Sequence, residues 1–218
     1  MASPSREQPA DSGAQHSARN RAPVSTLSED ELSSAAQRER RKRILDATLA
    51  LASKGGYDAV QMRAVAERAD VAVGTLYRYF PSKVHLLVSA LAREFEQFDS
   101  KRKPLPGADA GERMHLLLTQ VTRAMQRDPL LTEAMTRAFM FADASAAAEV
   151  DRVGKVMDRF FARAMNESEP SEKDMAIARV ISDVWLSNLV AWLTRRASAT
   201  DVAERLELTV DLLLGDKP

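Results

Sequence analysis

From Ala35 to the C-terminus, apolar residues recur three and four positions apart while Gly and Pro stay sparse. That spacing suits a succession of amphipathic helices and little else. No convincing run of strict apolar-polar alternation offers a strand. The expected fold class is all-α with about nine helices, the first three forming an N-terminal helix-turn-helix domain.

Residues 1–34 are rich in Ser, Ala, Pro, Gln and charge and poor in large apolar side chains. Burial cannot offset the entropy of ordering them, so they read as a mobile arm. The first helix spans about Ala35 to Lys54, with Ile44, Leu45, Thr48, Leu49 and Leu51 on its apolar face and Gly55-Gly56 ending it. A short helix from Met62 to Ala69, a turn at Asp70 and another short helix from Val73 to Tyr79 make the helix-turn-helix pattern. Pro81-Ser82 breaks the chain, and Ser82 can cap a fourth helix running to about Phe98, before Pro104 and Pro106 mark a linker. Five more helices are expected at about 112–127, 130–143, 146–166, 172–196 and 200–214, punctuated by Pro129, Pro170 and Gly215. The division this implies is an arm (1–34), a helix-turn-helix domain (35–81) and a helical C-terminal domain (82–218) whose first helix, 82–101, connects the two.

Equal numbers of basic and acidic residues, 31 each, argue against a general polyanion binder. The balance is uneven along the chain, however. Residues 35–83 carry ten basic and five acidic side chains, a net +5, whereas the segments before and after are net −2 and −3. Positive charge gathered in one segment is the footprint of a nucleic-acid-binding module on a neutral or acidic body. It is densest at Arg38, Arg40, Arg41, Lys42 and Arg43. The absence of Cys removes disulfides, thiolate nucleophiles and zinc-finger ligands together, and His16, His85 and His115 are too scattered to suggest a metal centre. Neither metal nor cofactor is expected. The first fifteen residues are polar and no apolar run approaches a membrane span, so a cytoplasmic protein without membrane contact is expected.

At about 100° per residue, Val73, Leu76, Tyr77 and Phe80 share one arc of the third helix, and Gly74, Thr75, Arg78 and Tyr79 share the opposite arc. The first arc is expected to pack and the second to enter a major groove. Arg78 suits a guanine edge, Thr75 and Tyr79 suit phosphates or thymine methyls, and Gly74 permits close approach. Tyr77, at the border of the arcs, can offer its hydroxyl. Lys83, in the first turn of the fourth helix, and Arg63, opening the second, stand where free backbone amides already favour a phosphate. One exposed Arg or Tyr would be an ordinary solvated side chain. The helix, tight turn, amphipathic seven-residue helix and Phe-Pro-Ser-Lys break together point to operator DNA.

The stretch Ile44 to Leu87 resembles the TetR family of transcriptional regulators. The likeness rests on Gly56-Tyr57, Met62-Arg63, Val65-Ala66, Ala69, Val71, Gly74-Thr75-Leu76-Tyr77, Tyr79-Phe80, Ser82-Lys83 and Leu86-Leu87. Where the family has a Ser or Thr cap, a turn Gly and a Ser before the recognition helix, this chain has Gln61, Asp70 and Ala72. Asp tolerates a left-handed turn, whereas Gln61 and Ala72 imply weaker caps. The resemblance implies a homodimeric repressor that offers two recognition helices to a palindromic operator in double-stranded DNA, pairs through its last two helices and holds an effector in the C-terminal domain. In the final helix Val202, Leu206, Val210, Leu213 and Leu214 fall on one arc and Leu208 and Leu212 nearly opposite, so both sides want burial. A partner subunit would cover the second side; an interior helix of a monomer would show the same pattern.

Met135, Phe139, Met140 and Phe160 crowd two adjacent helices into a bulky, deformable surface, which suits core packing and, given the resemblance, an apolar effector. On the next helix Trp185, Asn188 and Trp192 share a stripe with Ile181 and Val184. The Asn188 amide needs a partner, which is a ligand keto or hydroxyl group, backbone, water or its symmetry mate. Arg152, Lys155, Arg159 and Arg163 share a helix face that suits an anionic ligand tail or simple solvation. Arg78 to His85 and the C-terminal helices are similar to the branch of the family that represses cholesterol-catabolism genes, which implies a sterol-derived effector or its coenzyme A thioester. A drug-efflux or fatty-acid regulator is the alternative within the family, and a helical enzyme or scaffold the alternative outside it. The scaffold leaves the basic segment unexplained, and the enzyme reading has no Cys, no clustered His and no Gly-rich phosphate loop behind it.

Overall fold

The computed structural model describes residues 35–101, 109–166 and 169–215, which form nine α-helices with no strand among them. The arm expected over 1–34 and the linker at Pro104 and Pro106 lie outside the described residues. Helix α1 (Ala35–Ala59) loses regular geometry at the expected stop. Gly55 leaves the helical region and Gly56 takes φ +65, a conformation natural to glycine, before one more turn carries the chain to Ala59. Asp70, at φ +53, makes the turn between α2 (Met62–Arg68) and α3 (Val73–Tyr79). Gln61 and Ala72 make no side-chain cap, as their chemistry implied.

Helix α4 (Lys83–Lys101) begins beside Ser82, whose hydroxyl oxygen lies 3.5 Å from the His85 amide nitrogen. Beyond it come α5 (Ala110–Arg127), α6 (Pro129–Met140), α7 (Ala147–Met165), α8 (Glu172–Leu193) and α9 (Ala199–Leu214). Asp109 and Asp128 cap α5 and α6 through their carboxylates, while Ser171 with Asp174 and Ser198 with Asp201 form reciprocal capping boxes on α8 and α9. Helix α6 ends before the expected residue 143, because the Asp143 carboxylate accepts the Ser145 amide at 2.9 Å and opens a 3-10 turn over Ala144–Ala146. Helix α8 stops short of residue 196, where Arg195 turns to φ +57.

Helix α1 lies along α6 and α4, α4 runs between α6 and α7, and α5 bridges α7 and α9. At the centre, Phe95, Phe160, Phe161 and Trp185 meet edge to face, with Phe98 against Phe160, at centroid distances between 5.3 and 6.0 Å. Such pairs add to the stabilisation from burial, and truncating one of these rings costs about 3–5 kcal/mol.

The expectation that no apolar run approaches a membrane span needs correcting. Helix α8 is 22 residues long with a window of mean hydropathy 1.3, enough by length and composition alone. Its apolar character has a packing reason, since Ile181, Trp185 and Leu189 are buried against the core and Val180 lies exposed on the outside. Helix α9 shows the two faces the sequence implied. Val202, Leu206 and Val210 are buried, whereas Leu208 and Leu212 are 58 % and 74 % exposed; Leu213, placed with the first set, is exposed near the helix end.

Candidate nucleic-acid interface and sensing domain

The reading head is built by α3 lying on Leu76 and Phe80, both buried. Its outer face carries Val73, Gly74, Tyr77 and Arg78, all exposed, with Thr75 half-buried at the edge. A Cβ built on Gly74 would meet nothing within 4 Å, so the backbone there is open to close approach. Three placements are corrected, the first being Tyr77, which sits on the outer face rather than on the packing arc. Tyr79, expected on the outer arc, is only 5 % exposed and packs beside Phe80 at a centroid distance of 6.4 Å. Val73, expected to pack, is exposed. The inner arc is therefore rotated by roughly 60° from the one inferred, because a wheel at about 100° per residue cannot tell which aromatic the neighbouring helices will accept.

Arg63 is exposed in the first turn of α2. Lys83 is half-buried, because its ammonium donates to the Tyr57 carbonyl at 3.3 Å and lies 3.8 Å from the centre of the Tyr57 ring. Arg41 of α1 lies over the Phe80 ring at 5.0 Å, and Arg43 reaches Asp70 in the turn at 3.8 Å. These bring the basic start of α1 to both ends of the reading helix. His85, one of the three scattered histidines, is buried and uses both ring nitrogens. Nδ1 is 2.9 Å from the Ser82 hydroxyl and Nε2 is 2.9 Å from the Ser145 carbonyl.

The seven residues picked for an effector differ in how far they are buried. Met135, Phe160, Trp185 and Asn188 are buried, Phe139 and Trp192 are half-buried, and Met140 is 50 % exposed. Met140 is thus corrected to a surface position, since it is the last residue of α6, where the helix gives way to the 3-10 turn. The inner pair donates within the fold. The Trp185 indole donates to the Thr122 hydroxyl at 3.0 Å, and the Asn188 amide donates to the Val184 carbonyl of its own helix at 2.9 Å. Ser182, on the same helix, is buried with its hydroxyl unpaired, a group the hydrophobic pattern gave no reason to single out.

Two pockets flank this core, and none of the seven lines either. One, about 470 Å³, lies between α5 and α9 and is lined by residues including His115, Thr119, Arg123 and Glu207. The other, about 650 Å³, lies between α4 and α7 along the basic stripe of Arg152, Lys155, Arg159 and Arg163. Arg152 pairs there with Glu96 at 2.8 Å, Arg163 with Asp99 at 2.9 Å and Lys155 with Asp151 at 2.6 Å. All three pairs are partly exposed, so each contributes little to stability and exchanges readily with other anions.

The tetR family of bacterial regulatory proteins matches residues 44–90, and the tetracyclin repressor-like C-terminal domain matches residues 107–213. The HTH-type transcriptional repressor KstR of Rhodococcus jostii is 82 % identical over 193 residues, 88 % of this chain and 91 % of that protein. A TetR transcriptional regulator from Rhodococcus sp. RHA1 superposes with a TM-score of 0.75 at 30 % identity, covering 85 % of this chain and all of that one. The fold is shared with FadR from Bacillus subtilis in complex with stearoyl-CoA, at a TM-score of 0.55 and 20 % identity over 81 % of this chain and 99 % of that one. The chain belongs to the tetR family of helix-turn-helix transcriptional repressors.

Proposed function

We propose that the dimer represses sterol-catabolism genes by gripping a palindromic operator and lets go when a large apolar effector, a sterol-derived metabolite or its coenzyme A thioester, occupies the C-terminal domain. The observation that carries the DNA half is the outward row of Gly74, Tyr77 and Arg78 on α3, a face with side chains for base edges. Thr75 at the edge of the row, with Arg63 and Lys83 at the helix N-termini on either side, supplies phosphate contacts. Tyr79 supports this face from within. Residues 35–81 serve as the reading head, and 82–218 as the sensing and dimerisation unit joined through 82–101.

The effector half rests on chemistry and likeness. The aromatic interior suits a rigid apolar body, and the buried, unpaired Ser182 hydroxyl and the Asn188 amide on α8 are polar groups able to meet a keto or hydroxyl group. The stripe at Arg152, Lys155, Arg159 and Arg163 suits the phosphates of a thioester such as the one held by the Bacillus subtilis relative. The effector releases DNA only if it binds the splayed dimer more tightly than the operator-bound one. Titrating the operator complex with a sterol side-chain coenzyme A thioester and with palmitoyl-CoA tests this. Release by the sterol thioester at a concentration at least tenfold lower is expected. Equal potency, or release by palmitoyl-CoA alone, would contradict the sterol assignment and favour a fatty-acid operon.

A further inference from the structure

Tyr57 stands where the reading head meets the sensing domain, and local backbone chemistry puts it there. Gly56 takes φ +65, and a Cβ on it would come within 3.4 Å of Glu133 Oε2 and 3.7 Å of Leu130. Those are ordinary contact distances, so it is the positive φ, natural to glycine, that turns the chain here against α6. The ring of the next residue is thereby held between α4 and α6. Lys83 Nζ lies 3.8 Å from the ring centroid and donates to the Tyr57 carbonyl at 3.3 Å, while the Arg137 guanidinium carbon lies 4.4 Å from the same centroid. Glu133 completes the group, with Oε1 3.7 Å from Arg137 Nη1 and Oε2 accepting the Tyr57 amide at 3.4 Å. Two cations share one ring, one from the first turn of α4 and one from α6.

We propose that Tyr57 is a positioning residue for operator binding: its ring and carbonyl hold the Lys83 ammonium ready for an operator phosphate, and Arg137 and Glu133 of α6 set where that ring stands. The inference rests on the reading of Lys83 as a phosphate contact. A lysine loses much rotamer freedom when it is fixed on a phosphate, and one already held by a ring and a carbonyl has less left to lose. An ammonium has three donors, so the carbonyl and the ring leave capacity for a phosphate oxygen. A shift of α6 moves Arg137 and Glu133, and with them the ring and the lysine. The sensing domain thus reaches a DNA contact without itself touching DNA.

The test uses a duplex selected from a random pool by the wild-type protein, with affinity measured across a series of salt concentrations. Lys83→Met is expected to reduce the salt slope by about 1.8, the value for two phosphate contacts, one from each subunit of the dimer. Tyr57→Leu should reproduce that loss, Tyr57→Phe should keep the wild-type slope, and the double variant Tyr57→Leu/Lys83→Met should bind no more weakly than Lys83→Met alone. A wild-type slope in Tyr57→Leu, with additive losses in the double variant, would overturn the proposal and leave the tyrosine as packing only. A wild-type slope in Lys83→Met would overturn the phosphate contact and this proposal together, while selection of a duplex by the wild-type protein would leave the repressor reading standing. If Tyr57→Leu does not fold, Arg137→Gln carries the test from an exposed position on α6. Operator affinity about threefold weaker, with thermal unfolding unchanged, is then expected, and unchanged affinity would overturn the proposal.

Discussion

Tyr77 and Tyr79 are two positions apart on α3 and face opposite ways, because the short helix can bury only one side and Phe80 with Leu76 defines which. Tyr77 is 42 % exposed and Tyr79 only 5 %. Tyr77→Ala is therefore expected to leave thermal stability within about 0.5 kcal/mol and to weaken operator binding. Tyr79→Ala should instead destabilise the fold by about 3 kcal/mol, as loss of a buried ring does. Thermal unfolding of both variants beside an operator titration checks the pair; a stable Tyr79→Ala with weakened DNA binding would return that residue to the outer face. Gly74 and Arg78 were legible in the sequence because polarity and size alone put them outside. The two tyrosines were not, since a ring with a polar tip suits either side. Nor was the Tyr57 cluster legible, for nothing in the sequence pairs position 57 with positions 83 and 137.

At the scale of single helices, the ends follow side-chain chemistry closely, and α2 and α3 begin where expected because breaks, not caps, define them. Helices α8 and α9 carry the strongest caps. Donation from the Ser171 amide and then its hydroxyl holds the Asp174 carboxyl below its ordinary 3.8, and the Ser198 amide and hydroxyl do the same for Asp201. A carboxyl depressed by folding stabilises the fold above its unfolded value, and that contribution is lost as pH falls through the folded one. Both caps should accordingly be indifferent to pH from neutrality down to about 5 and fray below about 3.8. Amide exchange in the first turns of α8 and α9 measures this; protection that persists unchanged at pH 2.5 would contradict it. Ser171→Ala should cost about 1 kcal/mol at neutral pH. The helix faces were legible to different degrees. The two sides of α9 followed from spacing alone, but the partners of the basic stripe on α7 include Glu96 and Asp99 on α4, more than fifty residues upstream, which no local pattern reveals.

For the whole molecule, α4 is the common member. Its first turn carries Lys83 and His85 at the reading head, and its last turns carry Glu96 and Asp99 at the basic groove. A helix held at both ends by polar contacts can transmit a displacement along its length, which is the two-state element that effector release requires. Leu208 and Leu212 of α9 and Val180 of α8 stand exposed, and on the proposed reading they are the apolar surface that a partner subunit covers. The central claim is that two copies of α3 stand about one DNA turn apart, roughly 34–36 Å, and read inverted half-sites. Selection of duplexes from a random pool by the full-length protein, followed by sequencing, tests this most directly. Enrichment of two inverted half-sites whose centres are about ten base pairs, or a whole multiple of that, apart is the predicted result. Folded, dimeric protein that enriched no sequence would contradict it.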